Sequence, residues 1–178
     1  MAGVAVLVGL RTIAAVLRDP THGLVRELAL VDLIGTDERP GLPTEILCQG
    51  DDETRDRDWD PSIRRKVLVV EDSQGSSADP VAAQRWRDHT VHVVVAIVSR
   101  PDAGPGDFLG AKYTEQAVIN TLDRRLFHPD FLETAGAMGG YTVEDCSRLD
   151  SPAIEQDVGV GKVLTAVRYE LLIRHHRP

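Results

Sequence analysis

The stretch KVLTAVRYELLIRH, residues 162–175, decides the fold of this chain. Its side chains alternate between two faces. One face carries Val163, Thr165, Val167, Tyr169, Leu171 and Ile173, and the other carries Leu164, Ala166, Arg168, Glu170, Leu172 and Arg174. A repeat of two over this length is typical of a half-buried antiparallel strand. We therefore expect the domain to close by docking its C-terminal segment into a sheet, and neither face carries an obvious catalytic group.

A second long strand is predicted at Thr90–Ser99 (TVHVVVAIVS), the most hydrophobic part of the chain. Both of its faces are apolar, which predicts a central position covered by helices or by a neighbouring subunit. Shorter strands are predicted at Glu45–Gln49, Lys66–Glu71 and Thr142–Leu149, where short apolar runs lie between turn residues.

Apolar residues at helical spacing predict three helices. The first ends at Asp19-Pro20, and Arg11 interrupts its apolar run, so we read a soluble amphipathic helix rather than a signal peptide or a bilayer span. A short second helix is expected within Thr21–Ile34. A long third helix is expected from Asp107, a plausible N-cap, through Leu126.

These elements predict one α+β domain over residues 1–178, with a mostly antiparallel sheet and with the N-terminal helices and one long helix packed on one face. Long loops are expected near residues 51–62, 72–86 and 127–161. Within them, Asp72–Pro80 is expected to be a flexible connection and Ser151–Gly161 a loop.

Composition limits the function classes. The chain has 178 residues, 42% of them hydrophobic and only 4% aromatic, so its core is built of Val, Leu, Ile and Ala. Its net charge of −8 argues against a broad surface that grips DNA phosphates, although an acidic wall lets DNA pass without adhering. The two cysteines, Cys48 and Cys146, are too few for a disulfide framework or a zinc cluster, and we expect free thiols in a reducing compartment.

Two short motifs fail at required positions. The run Gly159–Lys162 (GVGK) lacks the earlier glycine and the following Ser or Thr of a phosphate loop, because Gln156 and Val163 stand there. Asp56, Asp58 and Asp60 have the alternate spacing of a calcium loop. Pro61 and Val67 replace its sixth-position Gly and its twelfth-position Glu.

The histidines give no better site. His128 with Asp130 and Glu133 is explained by a loop followed by a short apolar anchor, and His92 by a satisfied, partly buried histidine or a subunit contact. His175 and His176 are adjacent on a strand, so they point to opposite sides. We therefore expect no enzyme, no cofactor and no metal site.

One charged segment, Asp51–Ser62, mixes acids and bases and is expected to be solvated or ordered by a partner. Its candidate partner-contact residues are Asp51, Asp52, Glu53, Arg55, Asp56, Arg57, Asp58 and Trp59.

The order of five stretches resembles a known family. They are VLVGLRTIAAVLRDP (6–20), PGLPTEILCQG (40–50), TVHVVVAIVSRPDAGPG (90–106), AKYTEQAVINTLDRRL (111–126) and VLTAVRYELLIRHH (163–176). The layout resembles the tail terminator proteins of long-tailed bacteriophages, also called tail completion or head–tail joining proteins. The resemblance covers most of the chain in order and lies in the pattern of elements, while the three long loops depart from a compact member.

The resemblance implies a virion structural protein at the tail–neck junction, assembled in the host cytoplasm. It implies a ring of six subunits that caps the tail tube, ends its polymerisation and joins it to the head connector. The implied partners are further copies of the chain, the tail tube protein and a head-closure or connector protein. DNA would pass through the channel without specific binding, and no membrane is involved.

Two other readings stay open. One is a head-closure or connector adaptor protein of the phage neck, which shares the small size and the ring habit. The other, more distant, is a small cytoplasmic enzyme whose Asp and His residues meet only in the fold.

Overall fold

The structure, a computed structural model, describes residues 2–37, 45–50, 64–72, 77–78, 86–100, 107–126, 140–149, 156–158 and 161–176. Three helices lie in this part of the chain: α1 (Ala2–Arg18), α2 (Leu24–Leu30) and α3 (Asp107–Leu126). Seven strands accompany them: β1 (Glu45–Cys48), β2 (Arg65–Glu71), β3 (Ser77–Ala78), β4 (Trp86–Ser99), β5 (Tyr141–Leu149), β6 (Gln156–Val158) and β7 (Gly161–His176).

The strands form one mixed, mostly antiparallel sheet, which confirms the predicted α+β class. Its order is β1-β2-β4-β7-β5, with β3 attached to β4 and β6 attached to β7. Only β1 and β2 run parallel; the other pairs are antiparallel. The predicted central strand is confirmed, because β4 pairs with β2 on one side and with β7 on the other.

The helices pack on one face of this sheet. On β4, the odd-numbered residues Val91, Val93, Val95 and Ile97 face them and are fully buried. Tyr169, Leu171 and Ile173 of β7 join the same core. Helix α1 comes close to the sheet at Gly9, where a Cβ atom would lie only 3.1 Å from Val91 Cγ1. Strand β7 is thus an antiparallel strand with one face in the core, as its alternation predicts.

Helix α1 ends where the sequence places its end. After Arg18, the Asp19 carboxylate accepts hydrogen bonds from the backbone N–H groups of Thr21 and His22, at 2.8 and 2.9 Å. Such an Asx turn, followed by Pro20, satisfies backbone donors that cannot continue a helix. Among the described residues, no helix is both long and apolar enough to cross a bilayer.

The short second helix lies within the expected Thr21–Ile34, as α2 at Leu24–Leu30, and the Asp19 turn occupies the start of that range. Two predicted connections are wrong. The connection at Asp72–Pro80 contains β3, and the one at Ser151–Gly161 contains β6, which forms a hairpin with β7. Both strands are too short to show a periodic signal in sequence.

Candidate functional site

The sheet face turned away from the helices is the most informative surface among the described residues. We call it the second face. At one end it carries a small apolar cluster separate from the main core: Leu68, Val94, Ala96, Val98 and Ala166. No described helix contributes to this cluster. The prediction that β4 is apolar on both faces is therefore confirmed, and its second side is covered by no helix in the described chain.

Ion pairs occupy the other end of the second face. Each joins β7 to a residue on β4 or just after β2, across the strand register. They are the ion pairs Asp72–Arg168 at 2.8 Å and Asp88–Arg174 at 2.9 Å, together with a hydrogen bond between His92 Nε2 and Glu170 Oε2 at 2.9 Å. A second carboxylate, that of Glu144 on β5, lies 3.4 Å from Arg174. Along the strands, the second face therefore changes from apolar residues to charged residues that pair with one another.

The pairs differ in burial. Asp72 is only 5% exposed, so its contact with Arg168 lies in the protein interior. Asp88 and Arg174 are about equally half-buried, and their hydrogen bond holds the pKa of Asp88 below its usual value of 3.8. His92 Nε2 lies 2.9 Å from Glu170 Oε2, whereas its buried Nδ1 has no hydrogen-bond partner among the described residues, so the expectation of a satisfied histidine holds for one ring nitrogen only.

On the helix side, a buried polar group lies between β5, β7 and α3. Tyr169 is fully buried, and its hydroxyl has no hydrogen-bond partner among the described residues. Burial raises the pKa of Tyr169 and raises the pKa of the Cys146 thiol from 9.0 to about 12. The nearby Asp123 carboxylate accepts a hydrogen bond from Arg148 at 3.0 Å. A thiol held protonated in this way is a poor nucleophile at neutral pH.

The structure also describes the two cysteines and the adjacent histidines of β7. Cys48 and Cys146 are both free, as expected, and both are buried. His175 stacks on Tyr141 at 4.2 Å between ring centroids, whereas His176 lies 3.2 Å from the Thr142 hydroxyl, so the two adjacent histidines have separate neighbours.

Several sequence predictions lie outside the described residues. These include the candidate partner-contact loop from Asp51 to Trp59, the His128 group and the Gly159-Val160 turn. Within the part of the chain that the structure describes, no three His, Cys, Asp or Glu side chains come together as metal ligands.

Sequence reasoning missed the ion pairs of the second face. The signal for half of each pair was present, since Arg168, Glu170 and Arg174 share one side of β7. Their partners required the strand register, which only the fold supplies.

Comparisons of the chain with models of protein families, with curated proteins and with solved structures found no match.

Proposed function

We propose that this chain is a structural protein of a bacteriophage virion, a tail terminator that acts through its surfaces. It forms a ring that caps the tail tube and ends its polymerisation. The family resemblance implies six subunits in this ring. The ring then joins the tube to the head-closure or connector protein and leaves a channel for DNA. The protein assembles in the host cytoplasm and resides at the tail–neck junction.

The observation that carries this proposal is the division of the sheet into two unlike faces. All three described helices lie on one side, while the second face combines the apolar Val94 and Ala96 with ion pairs. Such a face, with mostly buried apolar residues at one end and partly exposed, matched charges at the other, offers charged groups that can orient a protein partner. It is a poor environment for bond-making chemistry, because its charged groups already neutralise one another.

The element order gives a second line of support. Each stretch that carries the family resemblance contains a regular element: α1, β1, β4, α3 and β7. This agreement concerns the fold, and function rests on the surfaces placed upon it. The net charge of −8 suits a subunit that lines a DNA passage, since it keeps the nucleic acid from adhering.

The contact residues of the loop from Asp51 to Trp59 are proposed to face the tube or the connector. Charged loops at such a surface supply orientation and partner choice more than affinity. Reversing the charges of Arg55 and Arg57 together is expected to weaken capture of one of these two partners while leaving the mass of the free ring unchanged.

The proposal is tested by assembly. The purified chain is measured by light scattering coupled to size exclusion, alone and with tail tube protein, and is imaged by negative-stain microscopy. We expect rings of uniform size and tubes that stop growing once capped. A monomer at high concentration that forms no ring with either tube or connector protein contradicts the proposal.

Pull-down separates the tail terminator from the neck adaptor. Capture of tail tube protein supports the terminator, whereas capture of the portal-side protein alone supports the adaptor.

A further inference from the structure

Helix α1 presents an exposed stripe of apolar and basic side chains. The stripe follows helical spacing and consists of Val4, Leu7, Arg11, Ala15 and Arg18. Val4 is 47% exposed and Leu7 is 38% exposed. The helix contains no acidic residue, although the whole chain carries a net charge of −8. A basic and apolar stripe on an acidic protein is a candidate contact surface.

This stripe lies beside the β1 end of the sheet. Arg18 donates from Nη2 to the backbone oxygen of Ile46 on β1 at 2.7 Å. A Cβ atom added at Gly50, just after β1, would lie 3.5 Å from Leu7 Cδ2. The side of α1 that carries Leu7 and Arg18 therefore faces the β1 end of the sheet, while its Gly9 side packs on β4 and β7.

At the opposite end of the sheet, an exposed acid has no ion-pair partner among the described residues. Strand β5 is the last strand there, and its residues Glu144, Asp145 and Ser147 are exposed. Its one basic residue, Arg148, is neutralised by Asp123 at 3.0 Å. Among the described residues, neither Asp145 on β5 nor Arg11 on α1 has an ion-pair partner. Uncompensated charges of opposite sign thus lie at the two ends of one sheet.

We infer that copies of this chain associate head to tail, with the α1 stripe of one copy against β5 of the next. The inference rests on the proposed ring, because a contact between two different surfaces on opposite ends generates a closed ring when the rotation closes. The complementary charges orient neighbouring copies, and Val4 and Leu7 supply apolar area.

The contact is made by side chains and does not continue the sheet from copy to copy. On β5 the register shifts between Val143 and Asp145, which is a β-bulge, and charged side chains surround it. Bulges and charges at a sheet edge prevent another strand from pairing there. At the other end, the Arg18 guanidinium occupies the Ile46 carbonyl on β1.

Crosslinking tests the pairing of surfaces. One variant carries Ala15→Cys on the α1 stripe and another carries Ser147→Cys on β5, both mild replacements of exposed residues. The native Cys48 and Cys146 are buried, and we expect them not to react with the crosslinker. With a short bis-maleimide, we expect covalent dimers when the two variants are mixed and none from either variant alone. Dimers from a single variant alone indicate a two-fold contact and overturn the inference.

Charge exchange gives the second arm. Arg11→Glu or Asp145→Arg alone is expected to weaken ring association roughly tenfold, and the two together are expected to restore it. Rings of normal mass that show neither the mixed crosslink nor the rescue overturn this inference and leave the proposed function standing. Absence of any ring, alone or with tube protein, overturns both.

Discussion

Along β4 and β7, consecutive residues enter two different environments. Odd-numbered residues such as Val95 and Tyr169 pack under the helices and are fully buried. Even-numbered residues form the second face, where a small apolar cluster gives way to ion pairs. The two faces therefore differ in what they bury. The helix side buries many large apolar side chains, which stabilises the domain, whereas the second face buries a few smaller apolar residues and the Asp72 carboxylate.

The largest expected effect is on the reactivity of the Cys146 thiol, which reports how well the helix side of the sheet excludes solvent. Burial raises the pKa of Cys146 from 9.0 to about 12, which lowers its thiolate population near pH 8 by about a thousandfold. In a Cys48→Ala background, we expect a thiol reagent to label the native chain far more slowly than the chain in urea. The exposed thiol of an Ala15→Cys variant is the control. If native Cys146 is labelled as fast as this control, the helix side of the sheet does not exclude solvent and the prediction is contradicted.

Next in size is a pair of truncations at neighbouring positions of β7. Leu171 is fully buried on the helix side, so Leu171→Ala is expected to cost about 2–5 kcal/mol through lost burial and a residual cavity. Leu172 is half-buried on the second face, and Leu172→Ala is expected to cost about 1 kcal/mol. Urea unfolding measures both. Equal costs refute the difference between the faces.

The elements that make this contrast are those the sequence could predict. Strands β4 and β7 and helices α1 and α3 are long, and their apolar period repeats often enough to mark both element and face. Strands β3 and β6 have two and three residues and exist only through their partners β4 and β7. They leave no periodic signal of their own.

The candidate surface could be predicted only in part, for a physical reason. Asp72 and Arg168 are 96 positions apart, and Asp88 and Arg174 are 86 apart, so each pair depends on two strand registers. The sequence marks these residues as charged and as lying on one side of a strand. It carries no local pattern that matches an acid with its base.

A third test removes the most buried pair of the second face. Arg168→Ala takes a guanidinium from the Asp72 carboxylate, which is 5% exposed, and we expect a loss of about 2 kcal/mol in unfolding free energy. The double variant Asp72→Leu, Arg168→Met removes both charges and is expected to lie within about 1 kcal/mol of the parent. A double variant as unstable as the single one shows that the pair itself stabilises the fold.

The smallest expected effect belongs to the exposed end of the same face. The hydrogen bond from Arg174 holds the pKa of Asp88 below 3.8, its value in an unfolded chain. The folded state therefore binds fewer protons, so this stabilisation is present above that value and is lost as pH falls through the lowered pKa. Both side chains are half-exposed, so the amount is at most about 1 kcal/mol.

Urea midpoints measured from about pH 5 to about pH 2 check this prediction. Arg174→Gln is expected to make the urea midpoint depend slightly less on pH in this range. Because Arg174 also contacts Glu144, the variant Glu144→Gln separates the two carboxylates and is expected to leave most of that slope intact. The opposite result is that Glu144→Gln removes the pH dependence of unfolding and Asp88→Asn does not. In that case the main partner of Arg174 is Glu144 on β5 and not Asp88 on β4. The charged end of the second face then belongs to the same edge that we assign to the contact between copies.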